Sequence, residues 1–144
     1  MATRSQVYNR EVLDLLYLNQ PIAGLGDANG VLGSVTAGSL HVGLFTSGGV
    51  EIAYTGYARA AIARGASGFS RTNNVVSNVS QIDFVVCPTG TTPQVATMLR
   101  IYSDASAGFI LHQADLTNPI TIAAAHQPII QAGAITITGA ELAS

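Results

Sequence analysis

His41 and Ser47 are the first residues to test for chemistry. In "LHVGLFTSGGVE" (residues 40–51) a histidine stands six positions before a serine that two glycines follow. A serine nucleophile needs a base to take its proton and a carboxylate to orient that base. No aspartate lies between His41 and Ser47, and Asp27 and Asp83 fall outside the pair. The triad is not assembled here. Ser47, Gly48 and Gly49 read as a turn, where glycine accepts positive φ.

The other candidates fail for similar reasons. In "HQAD", His112 and Asp115 are three positions apart, so a strand points them to opposite faces and they cannot share a metal ion. His126 stands alone in "AAAHQP". Glycoside hydrolysis needs two acids brought together, and nothing marks a pair among the eight present. Asp83 and Asp115 are the two acids to test by mutation for a small hydrolase. "GLGDANG" has the glycines of a phosphate loop but no strand before it. A strand through "YTGYAR" would point Tyr54 and Tyr57 to opposite faces, which argues against a sugar-stacking platform. Cys87 is the only cysteine. It can form no internal disulfide and reads as a small core residue. We therefore expect no catalytic residue, no cofactor and no metal, and not an enzyme.

Composition narrows the partners. Of the 144 residues, 48 % are apolar and 10 % are charged, against about a quarter charged in ordinary proteins. All six basic residues are arginines and the net charge is −2. A phosphate-gripping surface needs a dense basic face, so nucleic acid is not expected as a partner. No apolar run approaches the roughly 20 residues of a membrane span. The N-terminus lacks the pattern of a signal peptide, so synthesis in a cytoplasm is expected. Interface centres are depleted of charge. A surface this poor in charge suggests cover by copies of the chain, a dimer or trimer, or by a larger assembly.

The elements that must position these residues read as mainly β. Residues 5–18 are the one helix candidate, with Tyr8, Val12, Leu15 and Leu16 on one face and Ser5 or Asn9 as cap. Residues 21–39 read as a long connection. From residue 40 the period becomes two. Strands are expected at 40–46, 51–63 (with a bulge at Gly56), 79–87, 95–103, 109–116, 119–124, within 127–133 and at 134–139. Residues 66–78 read as turns. The pattern predicts an antiparallel jelly-roll-like sandwich or barrel of about seven to eight strands with one N-terminal helix. Residues 1–39 would be helix and arm, and residues 40–144 the β-sandwich, one structural domain overall.

Three blocks carry a resemblance. "SLHVGLFTSGGVEIAYTGYARAAI" (39–62), "NVVSNVSQIDFVVCPTG" (74–90) and "TMLRIYSDASAGFILHQADLTNPITIAAAHQPIIQAGAITIT" (97–138) occur in the order and spacing of a tailed-phage virion structural family. The chain resembles its tail-fibre-like and capsid decoration, or cement, proteins. The turn after "LFTS" is shortened here, and "TG" replaces the usual "GG" before "YAR".

The resemblance implies a bacteriophage virion protein that decorates or cements the capsid, bound over junctions of the major capsid protein on the outer surface. The alternative is a tail-fibre, collar or baseplate component that binds other tail proteins. We expect residues 1–39 to act as an arm, with Tyr8, Val12 and Leu16 at an interface. Arg59 and Arg100 are the expected interface ion-pair donors. Deleting residues 1–20 should then leave the β-domain folded and weaken attachment.

Overall fold

The structure, a computed structural model, describes residues 5–139. The ends of the expected arm (1–4) and of the expected sandwich (140–144) lie outside the described residues. Among the described residues, helix α1 (Gln6–Leu13) and a π-helical turn (Asp14–Leu18) precede nine strands. These are β1 (Ser39–Phe45), β2 (Ala60–Ala63), β3 (Phe69–Thr72), β4 (Val75–Asn78), β5 (Ile82–Asp83), β6 (Gln94–Tyr102), β7 (Ile110–Ile122), β8 (Ile129–Ile130) and β9 (Thr136–Thr138). The class is the expected one: mainly β, in antiparallel sheets with one N-terminal helix, consistent with a β-sandwich.

The chain divides into two compact units, each built from separated segments. The described residues up to Gly38, residues 63–80 and the residues from Ala132 onward form the first. Its sheet has the order β3-β4-β9. A two-residue turn joins β3 to β4, with Asn73 at φ 56°. Asparagine tolerates this left-handed conformation better than most residues. The stretch that reads as turns is therefore a hairpin. Its polar outward residues, Ser70, Arg71 and Thr72, conceal the inward Phe69.

The helix starts as expected, with the Ser5 hydroxyl accepting from the Tyr8 N–H. Its buried stripe falls one residue later than the periodicity suggests. Asn9, Leu13 and Tyr17 are buried, Tyr8 is exposed, and Val12 and Leu16 are partly covered. The π-helical turn ends where Asn19, at φ 56°, donates its N–H to the Asp14 carbonyl. The last carbonyls of a helix need partners. Arg64 supplies them, donating Nε to the Leu16 oxygen and Nη2 to the Leu15 oxygen. Tyr17 is fully buried, and its ring meets Phe69 edge-on at 5.0 Å.

Residues 39–62 and 81–131 form the second unit. Its main sheet has the order β2-β1-β6-β7, and β5 pairs with β8. Val42 lies opposite Ile101, and Leu44 opposite Leu99. All four are buried and form one face of the sheet.

Several strand expectations are corrected here. Of residues 51–63 only β2 is a regular strand. Gly56 sits at φ 85° in a tight turn, where Tyr57 N–H donates to the Tyr54 oxygen. Of residues 79–87 only β5 is a strand, although the chain beyond it still bonds to its neighbour, Phe84 N–H to Pro128 and Cys87 N–H to His126. The pieces 109–116 and 119–124 merge into β7, which runs through Pro119. A proline is tolerated there because β7 is an edge strand. Its register against β6 steps from Asp115 to Ile120 where β6 advances only from Met98 to Ala96.

Candidate functional site

The second face of the β1–β6 pair carries the densest set of interacting charged and aromatic side chains. His41, Gly43 and Phe45 alternate with the core residues of β1, and they lie opposite Tyr102, Arg100 and Met98. The chain after β1 turns at Thr46–Gly49, where Gly49 N–H donates to the Thr46 oxygen. It returns so that Glu51 bridges Phe45. This turn is what delivers a carboxylate to the face. Ser47 sits exposed at its tip.

Arg59 locks onto that carboxylate. Its Nε donates to Glu51 Oε1 and its Nη2 to Oε2, both at 2.9 Å, a bidentate fork. Nη1 donates to the Ala107 carbonyl at 3.2 Å. The guanidinium carbon lies 3.5 Å from the centre of the Tyr102 ring. The hydrogen bonds to Glu51 hold the Arg59 pKa above its usual value. Tyr102 stacks on Phe45, with centroids 6.2 Å apart. Arg100 covers Phe45 at 4.2 Å and donates Nε to Gln113 at 2.8 Å. The face is therefore a chain of cation–π and stacking contacts: Arg59, Tyr102, Phe45, Arg100.

Gly43 makes room for it. A Cβ there would lie 2.8 Å from Glu51 Oε1 and 3.1 Å from the Phe45 ring. Beside the ion pair is a pocket of about 320 Å³, lined by Glu51, Tyr57, Arg59 and Ser106 among others. Tyr57 accepts no free role in it. Its hydroxyl accepts from the Leu44 N–H at 2.9 Å, and its ring stacks on Phe84 and meets Tyr54 edge-on. Burial raises the Tyr57 pKa and pushes that of Tyr54 up to about 12. Tyr54 donates to the Val85 carbonyl.

Comparison with known families settles what kind of chain carries this face. Residues 33–138 match the family model described as podophage GP4 fiber I protein gp80. The chain belongs to this family. It is a family of phage virion structural proteins. No curated protein matches the chain. The gp80 family match takes in all three quoted blocks, and with them every residue of the arginine–aromatic face. Tyr8, Val12 and Leu16 precede it.

In this gp80-family chain the expected site residues separate into two groups. Arg59 and Arg100 come together on one face. Tyr8, Val12 and Leu16 belong to the other unit, on the helix side left by the buried Asn9, Leu13 and Tyr17 stripe. Sequence reasoning passed over Glu51, Gly43, Phe45 and Tyr102. Alternation along "LHVGLF" does place Gly43 and Phe45 with His41. Only the return of the chain after residue 49 brings Glu51 to Arg59. Tyr54 and Tyr57, expected on opposite faces, meet at 5.3 Å because the turn at Gly56 breaks the alternation. His112 lies in β7, and His126 lies in the loop before β8, with its Nδ1 3.4 Å from the Thr121 oxygen.

Proposed function

We propose that the protein is a non-enzymatic structural subunit of a phage fibre or an adjoining tail assembly, acting by binding neighbouring virion proteins. The observation that carries this reading is the match to a fiber-protein family over residues 33–138. It favours the fibre alternative over capsid decoration, which rests on composition and motif likeness alone. The low charge, 10 % of residues, fits a surface that is covered in an assembly.

The arginine–aromatic face is the part of the second unit best suited to contact a neighbour. Its rings and guanidinium groups are held in place before any partner arrives, so little side-chain entropy remains to be lost on binding. Arginine and tyrosine are also the residue types on which binding energy concentrates. The partners on this reading are other tail proteins and copies of the chain.

Immunogold labelling of intact virions tests the location. Gold on fibres or at the tail supports the reading. Gold spread evenly over the shell overturns it in favour of decoration of the major capsid protein. The role of the face is tested by Arg100→Ala in virions assembled in its presence. A several-fold loss of incorporation, with the purified variant still folded, is expected, and unchanged incorporation overturns it.

A further inference from the structure

The stretch "GLGDANG" (24–30) is no phosphate loop, but it holds a different chemistry. Asn29 is the only asparagine in the chain that a glycine follows. In such a pair the amide nitrogen of the glycine can attack the asparagine Cγ. A new N–Cγ bond closes a succinimide ring. The Cγ–Nδ2 bond breaks, and the side-chain nitrogen leaves as ammonia with the proton given up by the attacking nitrogen. Water then opens the ring at one of its two carbonyls and leaves aspartate or isoaspartate. Glycine favours the attack because it has no side chain to crowd the ring.

The fold fixes where both reacting groups stand. Ile22 and Val31 bond in both directions, N–H to carbonyl at 2.8 and 2.9 Å, and close the loop between them. Residues 23–29 are exposed. A tight turn crosses the tip, with Asp27 at its first position and Gly30 at its fourth, the places that favour aspartate and glycine. Gly30 sits at φ 66°, and a Cβ there would run into the Ile22 carbonyl. The glycine that makes Asn29 reactive is thus the one the turn requires.

Asp27 holds the nucleophile. The Gly30 N–H donates to the Asp27 carbonyl at 3.2 Å and to Asp27 Oδ1 at 3.0 Å. The Asn29 N–H donates to the same Oδ1 at 2.8 Å. Attack needs a Gly30 nitrogen that has lost its proton and turned towards the Asn29 Cγ. A carboxylate is far too weak a base to take an amide proton, so these bonds keep the proton in place. The carboxylate charge also opposes the negative charge that builds on the nitrogen. The Asn29 side chain is exposed, so its Cγ is open to attack. Only the nucleophile is guarded.

We propose that Asn29 is a site of deamidation whose rate Asp27 sets, slow while the turn is closed and fast once it opens. Conversion adds a negative charge two positions from Asp27. The isoaspartate product also puts an extra carbon into the main chain before Gly30. That carbon displaces the Gly30 N–H from Asp27, and the turn cannot close again in the same form. The reaction marks chains whose loop has opened.

The purified full chain tests this, aged in mildly alkaline buffer, digested and read by mass spectrometry. The gain in mass from amide to acid, and the split of the Asn29 peptide into aspartate and isoaspartate forms, report the reaction. The folded chain should convert about ten-fold or more slowly than the same chain in urea, because hydrogen bonds to a charged acceptor must break before attack. Asp27→Ala, folded by circular dichroism, should recover most of that difference. Equal rates in the folded and the urea-unfolded wild type, or an Asp27→Ala rate no faster than the folded wild type, overturns the proposal. If Asp27→Ala does not fold, hydrogen exchange of the wild type decides. The Gly30 amide should exchange more slowly than that of Ala28, and equal exchange overturns the guarding role of Asp27.

Discussion

Arg59 grips Glu51 with two parallel hydrogen bonds of 2.9 Å while its other side lies 3.5 Å from the Tyr102 ring. Exposed ion pairs contribute little, but this guanidinium is only 12 % exposed and has no freedom left to lose. Glu51→Ala strips a partly buried charge of its partner and should lower stability by about 1–2 kcal/mol. Arg59→Lys keeps the charge but cannot form the fork, and should cost about half as much. Urea unfolding of the two variants checks the order. An equal or larger loss for Arg59→Lys would count against the fork.

Gly43 is expected to be intolerant of even one methyl group. Gly43→Ala should cost about 1–3 kcal/mol, in the range of overpacked sites. The loss should shrink when Glu51→Ala is present, because the carboxylate oxygen is the nearest obstacle at 2.8 Å. A double-mutant cycle reads this coupling. Strict additivity would show that the strain lies elsewhere.

Tyr17 changes the expectation for an N-terminal deletion. Removing residues 1–20 takes away a fully buried ring packed on Phe69 and the carbonyls that Arg64 binds. Loss of a buried aromatic alone costs about 3–5 kcal/mol. The deletion should therefore destabilise the first unit, so that hydrogen exchange at residues 69–78 rises steeply while β1 and β6 stay protected. Tyr17→Ala should reproduce most of the effect. Full protection at 69–78 in both variants would show that the helix is dispensable.

Acid and alkali should weaken the fold through different groups. Burial holds the His112 pKa below its usual value. The unfolded chain then binds more protons as pH falls through about 6.5, so stability is lost on the acid side of that value. His112→Gln should flatten the fall in melting temperature between about pH 7 and 5. Burial raises the tyrosines instead: Tyr54 to about 12, with Tyr17 and Tyr57 also raised. Above about pH 10 the unfolded phenols release protons that the folded ones keep, so stability falls as pH rises. Tyrosinate absorbance from these three should appear together with unfolding. Titration of all three in a chain still folded by circular dichroism would contradict their burial.

The two-residue period of "LHVGLF" reveals β1 and both of its faces, because each face is defined by local alternation. The same rule fails at residues 51–59. There the path is set by one glycine at φ 85° and by bonds to distant strands, such as the Tyr54 hydroxyl to Val85. Arg59 and Arg100 stand out as isolated cations in a chain poor in charge. Glu51 does not, since its tie to Arg59 depends on a reversal between them. The helix stripe was displaced by one residue because Asn9, a polar residue, takes a buried position that hydropathy assigns to Tyr8 or Val12.

The placement of β9 has a consequence for biosynthesis. Val76 pairs with Ile137, and the buried Asn78 accepts from the Ile135 N–H. The first unit thus holds the earliest described residues of the chain together with the last. A ribosome releases them in order, so the helix and the β3–β4 hairpin emerge long before the strand that completes their sheet. This unit can close only after β9 has left the ribosome. Loss of β9, whether by a nonsense codon or a protease, should strike the helix and the β3–β4 hairpin of the same unit.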